Sequence, residues 1–468
     1  MPSIERAIER AIIPSDSKDP VIDAEFDPPI EEKVPRDLSM LRTHVASMVA
    51  LDIGLSMADY TSWRGRLLFS AIFPKLKSLS LQLLPIITPA SQQGDLHFVY
   101  TKLSFPALTD LALDGFILVA GYASEANSLV TIRRLSLSNY LLARPETTLH
   151  QFLRMLDGAT SLTTLKLDNY LAHTIADLPR PAPLRLPALK RLFLRDTPHR
   201  VSVFGTHFPT YPPYTKIIGL WGSAKLDVIP PFQPLVSNFP ATTFCQGAFT
   251  AARLDASDSA LRLELASSEP PTRFVLEAEM TPARPSTRTT SPAPGDTAAS
   301  ALHSAAALLT RCPAIAEFVF AGAPLAAAGA HAWGAVLSAT PALRVLTVVD
   351  RTDGGGAARA ALWALARGTL AGAQAGGAQA QALCPRLEEL VLHGARYSSS
   401  LMEDVERDVL ARAERGARIG RLRLSLHPDV VDIPGGGVVL VKATATEWPE
   451  RLRACVEELE MSDIVERP

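Results

Sequence analysis

A short unit with a fixed order of apolar positions recurs along the chain. A small or aromatic residue and a proline are followed by LxxLxL, as FPKLKSLSL at 73–81, FPALTDLAL at 105–113 and LPALKRLFL at 186–194. Two further copies, TIRRLSL at 131–137 and SLTTLKL at 161–167, keep the apolar spacing without the proline. Because side chains alternate between the two faces of a strand, the last two leucines of each unit point to one side. Each unit therefore predicts one short strand with one buried face.

The same unit returns in the second half of the chain, as CPAIAEFVF at 312–320, TPALRVLTV at 340–348 and CPRLEELVL at 384–392, with a weaker copy ending at Leu426. Within each half, the spacing between successive units is uneven. One such unit cannot bury its apolar face alone, so neighbouring units must stack. The pattern predicts an α/β repeat fold. This would be an irregular leucine-rich-repeat solenoid, in which a curved parallel sheet carries helices and loops on its outer face.

Other segments supply the connections and the ends. Apolar residues at helical spacing predict that the connecting segments at 147–159 and 296–311 are helices. Two charged segments with an apolar stripe, 400–418 and 447–464, are predicted to be helices that cover the end of the array. Weaker strands are expected in VALDIGL at 49–55, near Ile217, Leu263 and Leu276, and at 438–442.

Common leucine-rich repeats carry an asparagine ladder three positions after the last strand leucine. In the first five units those positions are Leu84, Phe116, Tyr140, Tyr170 and Thr197. Apolar packing is therefore expected to replace most of the ladder. Without it, the repeat length is free to vary, and we expect an uneven superhelix.

Composition divides the chain into four parts. Residues 1–37 are acidic and proline-rich and predict a mobile tail, and 38–280 form the first leucine-rich-repeat block. Residues 281–297 are rich in Pro, Ser and Thr, which is typical of a disordered insertion. Residues 298–468 form the second block with its C-terminal capping helices. Whether residues 205–310 continue the regular repeats is left open by the pattern.

Charge restricts the classes of partner. The 468 residues are 47% apolar and 20% charged, which predicts a folded protein. The 46 Lys and Arg against 48 Asp and Glu give a formal net charge of -2. This argues against nucleic acid or an anionic membrane as a partner of the chain as a whole, although a local patch is compatible with it. Charged residues interrupt the first apolar stretch, so we expect no export and a cytoplasmic or nuclear protein.

Motifs for chemistry are scarce. The four cysteines, Cys245, Cys312, Cys384 and Cys455, lie far apart in sequence, so they form no CxxC pair and are expected to be reduced, buried thiols. The glycine clusters at 354–356 and 435–437 lack the spacing of phosphate-binding loops, and His173 with Asp177 lacks a third metal ligand. The sequence therefore predicts no enzyme, with no catalytic residue, cofactor or metal.

The predicted sheet offers a concave face instead. Side chains that flank the buried leucines point to this face, and the candidate partner-binding residues among them are Arg134, Lys166, Arg191, Phe193 and Arg195. An aromatic side chain between two arginines is typical of an interface hot spot. A return loop that covers Phe193 is an equally weighted alternative. The nearby Asp110, Asp114 and Asp168 argue against nucleic acid as the ligand.

The proline-leucine units, the segment LPALKRLFLRDTPHRVSVF at 186–204 and the segment CPRLEELVLHGARYS at 384–398 resemble the fungal F-box-like proteins with degenerate leucine-rich repeats. The resemblance runs from about Leu38 to the end. It implies a substrate-recognition subunit of a cullin-type ubiquitin ligase, in which an N-terminal F-box binds the ligase adaptor and the repeats hold the substrate.

No segment before Leu38 resembles an F-box. We expect that the gene begins upstream, that the F-box has been lost, or that a partner supplies it. The main alternative is a stand-alone leucine-rich-repeat scaffold without a ligase role. An enzyme is the least favoured of the three hypotheses.

Overall fold

The computed structural model describes residues 21–24, 44–55, 71–83, 97–120, 129–139, 149–171, 183–209, 211–221, 249–257, 260–267, 271–280, 294–322, 329–350, 355–368, 382–433 and 437–464. The chain divides into two compact units, Met1–Thr215 (unit 1) and Lys216–Pro468 (unit 2). Both units are α/β, with mainly parallel sheets.

Unit 1 contains a parallel sheet with the strand order β1-β2-β3-β5-β7-β8-β9 and a separate parallel pair, β4-β6. Its elements are β1 (Val21–Ala24), β2 (Ala50–Leu55), β3 (Ser78–Leu83), β4 (His97–Tyr100), β5 (Asp110–Asp114), β6 (Ile117–Ala120), β7 (Arg134–Ser138), α1 (Leu149–Asp157), β8 (Thr164–Asp168), β9 (Arg191–Asp196) and α2 (Pro198–Gly205). Each of the five repeated segments in this half ends in a strand of the sheet, so these strand predictions are confirmed. Strand β1 lies within the segment predicted to be a tail, and the rest of residues 1–37 lies outside the described residues.

The leucines of the repeated segments form the core of unit 1. Both leucines of every LxL pair are at most 3% exposed: Leu79, Leu81, Leu111, Leu113, Leu135, Leu137, Leu165, Leu167, Leu192 and Leu194. Burial of one leucine side chain contributes about 1.5–3 kcal/mol, so the stacked strands depend mainly on this set. The aromatic residues that begin two of the segments also stack, with the Phe73 and Phe105 ring centroids 5.5 Å apart. The Phe73 amide donates to the Ser104 carbonyl at 2.8 Å and joins the two turns.

A left-handed residue follows three successive strands of unit 1. Gly115, Asn139 and Asn169 have φ values of 80°, 53° and 51°. Their amides donate to the Ser138, Asp168 and Arg195 carbonyls, each on the next strand of the sheet. Glycine and asparagine are the residues that adopt this conformation at least cost. A backbone ladder therefore exists one position earlier than the position that common repeats use.

The predicted apolar packing accompanies this ladder. Phe116 is fully buried and Tyr170 is 8% exposed. The Leu118 amide donates to the Tyr170 hydroxyl at 2.9 Å, which ties β6 to the segment after β8. Leu84 and Tyr140 lie outside the described residues.

Replacing Asn169 with alanine is expected to lower the free energy of unfolding by about 1–2 kcal/mol, because an ordinary residue is strained in the left-handed region. Asn169→Gly is the matched control and should stay within about 0.5 kcal/mol of the wild type, since glycine adopts this φ freely. Thermal unfolding, with hydrogen exchange of the peptides that cover 164–196, checks both values. Equal stability of the two variants would contradict the role given to Asn169.

Unit 2 has the strand order β10-β13-β12-β11-β14-β15-β16-β17-β20, with a separate hairpin, β18-β19. Its elements are β10 (Tyr214–Trp221, which begins at the end of unit 1), β11 (Ala251–Ala256), β12 (Ala260–Ser267), β13 (Thr272–Met280), α3 (Pro294–Leu309), β14 (Glu317–Gly322), α4 (Gly329–Ala339), β15 (Val345–Asp350), α5 (Gly356–Arg367), β16 (Glu389–Arg396), α6 (Ser399–Glu414), β17 (Arg421–His427), β18 (Asp429–Ile433), β19 (Gly437–Val441), a 3-10 turn (Ala443–Ala445), α7 (Trp448–Arg453) and β20 (Glu458–Asp463). The four strands predicted from repeats in this half are confirmed as the parallel strands β14 to β17.

An antiparallel meander, β11 to β13, interrupts the parallel order in unit 2. Strands β11 and β12 pair antiparallel, as do β12 and β13, whereas β11 and β14 pair parallel. The strands expected near Ile217, Leu263 and Leu276 are confirmed as β10, β12 and β13, and β11 was not predicted. The question of residues 205–310 is answered for the described part: these strands do not continue a regular parallel repeat.

Three predictions about the second half change in detail. The helix predicted at 447–464 is wrong beyond Arg453, because ELEMSD pairs with β17 as strand β20. The strand expected at 438–442 forms as β19, and it pairs only with β18 among the described strands. Of the predicted insertion, 281–293 lies outside the described residues, and 294–297 belong to α3.

No helix among the described residues is long and apolar enough to cross a membrane.

Candidate interaction face of unit 1

Strands β7, β8 and β9 carry all five candidate binding residues on the face opposite the buried leucines. In the strand register, Thr164 lies beside Arg191, Lys166 beside Phe193 and Asp168 beside Arg195. Neighbouring strands are about 4.8 Å apart, so Lys166, Arg191, Phe193 and Arg195 form one group on two strands. Arg134 lies one strand further away, beside Thr164. We call this surface the β7–β9 face.

Phe193 is half-buried on the β7–β9 face. The Lys166 Nζ atom lies 5.4 Å from the centre of the Phe193 ring, within the range of a cation–π contact. The ring therefore contacts the lysine of the neighbouring strand, and the residue as a whole is not fully buried. Such an aromatic side chain can be covered further by a partner, which is the usual situation of a hot-spot residue.

Carboxylates pair with most of the bases on this face. Asp168 Oδ1 lies 3.2 Å from Arg195 Nη1, and Asp168 Oδ2 lies 3.9 Å from Lys166 Nζ. Arg134, whose side chain is 69% exposed, forms an ion pair with Asp110. The predicted line of bases is thus a surface of alternating charge, in which pairs this exposed contribute about 0–1 kcal/mol each to stability.

The pKa of Asp110 reflects its neighbours. Partial burial raises the pKa of this carboxyl, but hydrogen bonds from Arg134 and Thr109 and the charges of Arg134 and Arg133 outweigh burial. The pKa therefore lies below its usual value, and Asp110 is ionised at neutral pH. A partner has to match both signs of charge, which disfavours a uniform polyanion at this face.

Buried contacts behind β9 hold Phe193 and its neighbours in place. Asp196, the last residue of β9, is fully buried and accepts hydrogen bonds from the Leu171 and Thr197 amides at 3.0 and 2.7 Å. Arg200 of α2 lies 3.1 Å from the same carboxylate. Burial raises the pKa of Asp196 despite these partners. The C-terminal end of β9 is thereby fixed to α2 and to the segment after β8.

The other chemistry-bearing residues do not converge on a site within the described ranges. Cys312, Cys384 and Cys455 are free and buried, as predicted, and Cys245 lies outside these ranges. The Cys384 thiol lies 3.2 Å from the Leu337 carbonyl, and burial raises its pKa to about 11, so it is a poor nucleophile.

His173, Asp177 and half of the glycines of the two clusters, Gly354, Gly435 and Gly436, lie outside the described residues. In the part of the chain that the structure describes, no group of three or more His, Cys, Asp or Glu side chains could hold a metal ion. We take the β7–β9 face as the candidate functional site because the strand register brings the five candidate residues together there.

The bases of the turns that lead into the strands were not predicted, because strand alternation concerns only positions within each strand. Lys75, Lys77, Arg133 and Lys190 are all exposed in these turns. One sequence feature could have indicated them. Taken together, the turns before strands β3, β5, β7, β8 and β9 contain several basic residues and no acidic residue.

Two comparisons with known proteins gave no match. No protein-family model matches the chain, and no curated protein does.

Proposed function

We propose that this chain is a leucine-rich-repeat protein-interaction module of irregular solenoid form, and that it holds a protein partner on the β7–β9 face. One observation carries the proposal: Phe193 is only half-buried among Lys166, Arg191 and Arg195 on adjacent strands. Aromatic and arginine side chains are enriched among the residues that dominate protein binding. The mixed charges around the ring favour a protein over a polyanion.

The proposed role is substrate recognition for a cullin-type ubiquitin ligase. Its support is the resemblance of the repeated segments to fungal F-box-like proteins and the strands that those segments form. A stand-alone leucine-rich-repeat scaffold without a ligase role is the second candidate. The two candidates differ in one property, since only the ligase subunit has to bind the ligase adaptor.

The triple variant Arg191→Ala, Phe193→Ala and Arg195→Ala is expected to lower partner affinity by at least about 30-fold, which corresponds to the loss of one hot-spot residue. The measurement is affinity capture from the native cell extract, with quantitative mass spectrometry of wild type against variant. The matched control changes three half-buried residues of the unit 2 sheet, Val319, Thr347 and Val391, to alanine, and should keep the partner.

A partner retained by the Phe193 variant and lost by the control would place binding elsewhere and contradict the proposal for this face. Binding of purified adaptor to the longest in-frame product, defined by mapping the 5′ end of the transcript, then separates the two roles. Adaptor binding supports the ligase subunit, and its absence supports the scaffold.

A further inference from the structure

The turns that lead into five strands of unit 1 form a basic edge. These turns, residues 71–77, 101–109, 129–133, 158–163 and 183–190, contain no Asp or Glu. Their bases are all exposed: Lys75, Lys77, Lys102, Arg133, Arg185 and Lys190. We use the term basic edge for these six residues. Two carboxylates lie beside the edge, since Asp110 interacts electrostatically with Arg133 and Asp157 accepts a hydrogen bond from the Arg185 amide at 3.0 Å. Six bases against these two acids leave the edge positive, in a chain whose net charge is -2.

Backbone hydrogen bonds align part of the basic edge. The Thr109 amide donates to the Lys77 carbonyl at 2.9 Å, and the Arg133 amide donates to the Thr109 carbonyl at 2.7 Å. The series continues from Arg133 through Thr163 to Lys190, at 2.8 and 2.9 Å. One residue per strand at about 4.8 Å spacing puts Lys77, Arg133 and Lys190 about 10 Å apart in a row about 19 Å long.

Two aliphatic side chains accompany the bases. Ile72 is 62% exposed and Leu103 is 76% exposed, which makes Leu103 the most exposed large apolar residue among the described residues. They flank the hydrogen bond between the Phe73 amide and the Ser104 carbonyl, so they belong to adjacent turns. Lys75, Lys77 and Lys102 surround them in sequence. Accessible aliphatic groups among lysines can enter the boundary of a bilayer while the ammonium groups stay at its surface.

Other polyanions fit this edge less well. A single-stranded nucleic acid needs aromatic side chains for stacking, but Phe73 and Phe105, the aromatic residues of these turns, are 2% exposed. An acidic peptide that adds as a strand needs free backbone groups, but the amides and carbonyls along the row bond to one another. A flat anionic surface needs only the row of charges and the two apolar side chains.

We propose that the basic edge binds the surface of an anionic lipid bilayer, with Ile72 and Leu103 inserted below the headgroups. Binding of this kind combines two weak contributions, electrostatic attraction and apolar insertion, and is reversible. It is independent of the β7–β9 face and adds a location to the proposed interaction function.

Sedimentation of the full chain with vesicles tests the proposal. We expect binding to phosphatidylcholine vesicles that contain phosphatidylserine as the minor component, and none to vesicles of phosphatidylcholine alone. Each base lost near an anionic surface should lower binding about five-fold, so Lys77→Ala, Arg133→Ala and Lys190→Ala together should lower it about 100-fold. Ile72→Ser with Leu103→Ser should lower it at least about ten-fold without a change of charge.

The matched control removes three exposed bases of unit 2, Arg415, Lys442 and Arg453, and should bind vesicles like the wild type. Equal loss in this control and in the edge variant would overturn the proposal, as would absence of vesicle binding by the wild type.

Polyglutamate or single-stranded DNA that displaces the chain from vesicles at equal anion concentration, together with full binding by the Ile72 and Leu103 variant, would assign the edge to another polyanion. Because partner capture depends on Phe193 and vesicle binding does not, failure of one proposal leaves the other intact.

Discussion

Alanine in place of Gly394 is expected to lower the free energy of unfolding of unit 2 by about 3 kcal/mol, through strain and a clash with backbone. Gly394 has φ +86°, and a Cβ atom there would lie 2.4 Å from the backbone carbonyl oxygen of Asp350 on the neighbouring strand β15. A left-handed conformation costs an ordinary residue about 1–2 kcal/mol, and the clash adds to it because backbone cannot rotate away.

Gly394 also influences the residues after it. The register between β16 and β17 shifts between His393 and Arg396, after which the Tyr397 amide donates to the His427 carbonyl at 2.8 Å. Ser398 then caps α6 by accepting a hydrogen bond from the Leu401 amide at 3.2 Å. A displaced Gly394 therefore loosens the strand end and the helix start together.

Gly334→Ala is the matched control, and it is expected to raise the free energy of unfolding rather than lower it. A Cβ atom at Gly334, inside helix α4, meets nothing within 4 Å, so alanine should raise stability by about 0.5–1 kcal/mol. Urea unfolding followed by circular dichroism, with hydrogen exchange of residues 389–401, measures both. A Gly394→Ala protein as stable as the wild type would contradict the need for glycine at this position.

Arg412→Met is expected to lower the free energy of unfolding by about 3 kcal/mol, because the buried Leu383 carbonyl loses its donor and the Cys384 carbonyl keeps the Leu387 amide but loses the guanidinium. Arg412 of α6 is 1% exposed, and its Nη1 and Nη2 atoms donate to the Leu383 and Cys384 carbonyls at 2.7 and 2.6 Å. Methionine has similar length but cannot donate. Leaving the Leu383 carbonyl without this donor costs about 1–3 kcal/mol, and loss of the charged hydrogen bond to the Cys384 carbonyl adds about 1.5–3 kcal/mol before relaxation. Burial lowers the pKa of Arg412, which reflects the cost of holding the charge there.

The arginine fixes an unusual backbone position. Cys384 has φ +46° at the start of a repeat, and its carbonyl accepts from the guanidinium. Exposed Arg415, on the same helix end, supplies the control: Arg415→Met should change stability by less than about 0.5 kcal/mol. Thermal unfolding, with hydrogen exchange of residues 382–392, checks the pair. Similar effects of the two substitutions would show that Arg412 has no special role.

The strands were predictable wherever period-two alternation is strong. The LxL pairs from Leu79 to Leu194 reveal their buried face in the sequence, because one residue of slip would expose every leucine. The prediction of a helix where β20 forms was wrong because the pattern of Glu457 to Met461 fits both a helix and a strand. Pairing with β17 makes this segment a strand. The left-handed conformations of Gly394 and Cys384 were not predictable from the sequence either. Gly394 contacts strand β15, and Cys384 contacts helices α4 and α6, all of them distant in sequence.

The sequence predicts which residues lie on the candidate face, but it does not predict how their charges pair. Alternation alone puts Lys166 and Phe193 on the outer side, but their contact requires the register of β8 against β9. The pairing of Arg134 with Asp110 joins residues of different strands, which no local pattern specifies. The bases of the turns were not predictable from strand alternation, which concerns only positions within each strand.

Strands β11 to β13 lie in the sheet in the reverse of their chain order, and this determines how long one edge of β10 stays unpaired during translation. Strand β10 has β13 as its neighbour, and residues 222–271 are synthesised between the two. At about 5–20 residues per second, this edge of β10 waits roughly 3–10 s for its partner, whereas hairpins such as β12–β13 form within microseconds. The nascent chain therefore carries an unpaired strand edge during translation, and this interval is when a chaperone would matter most.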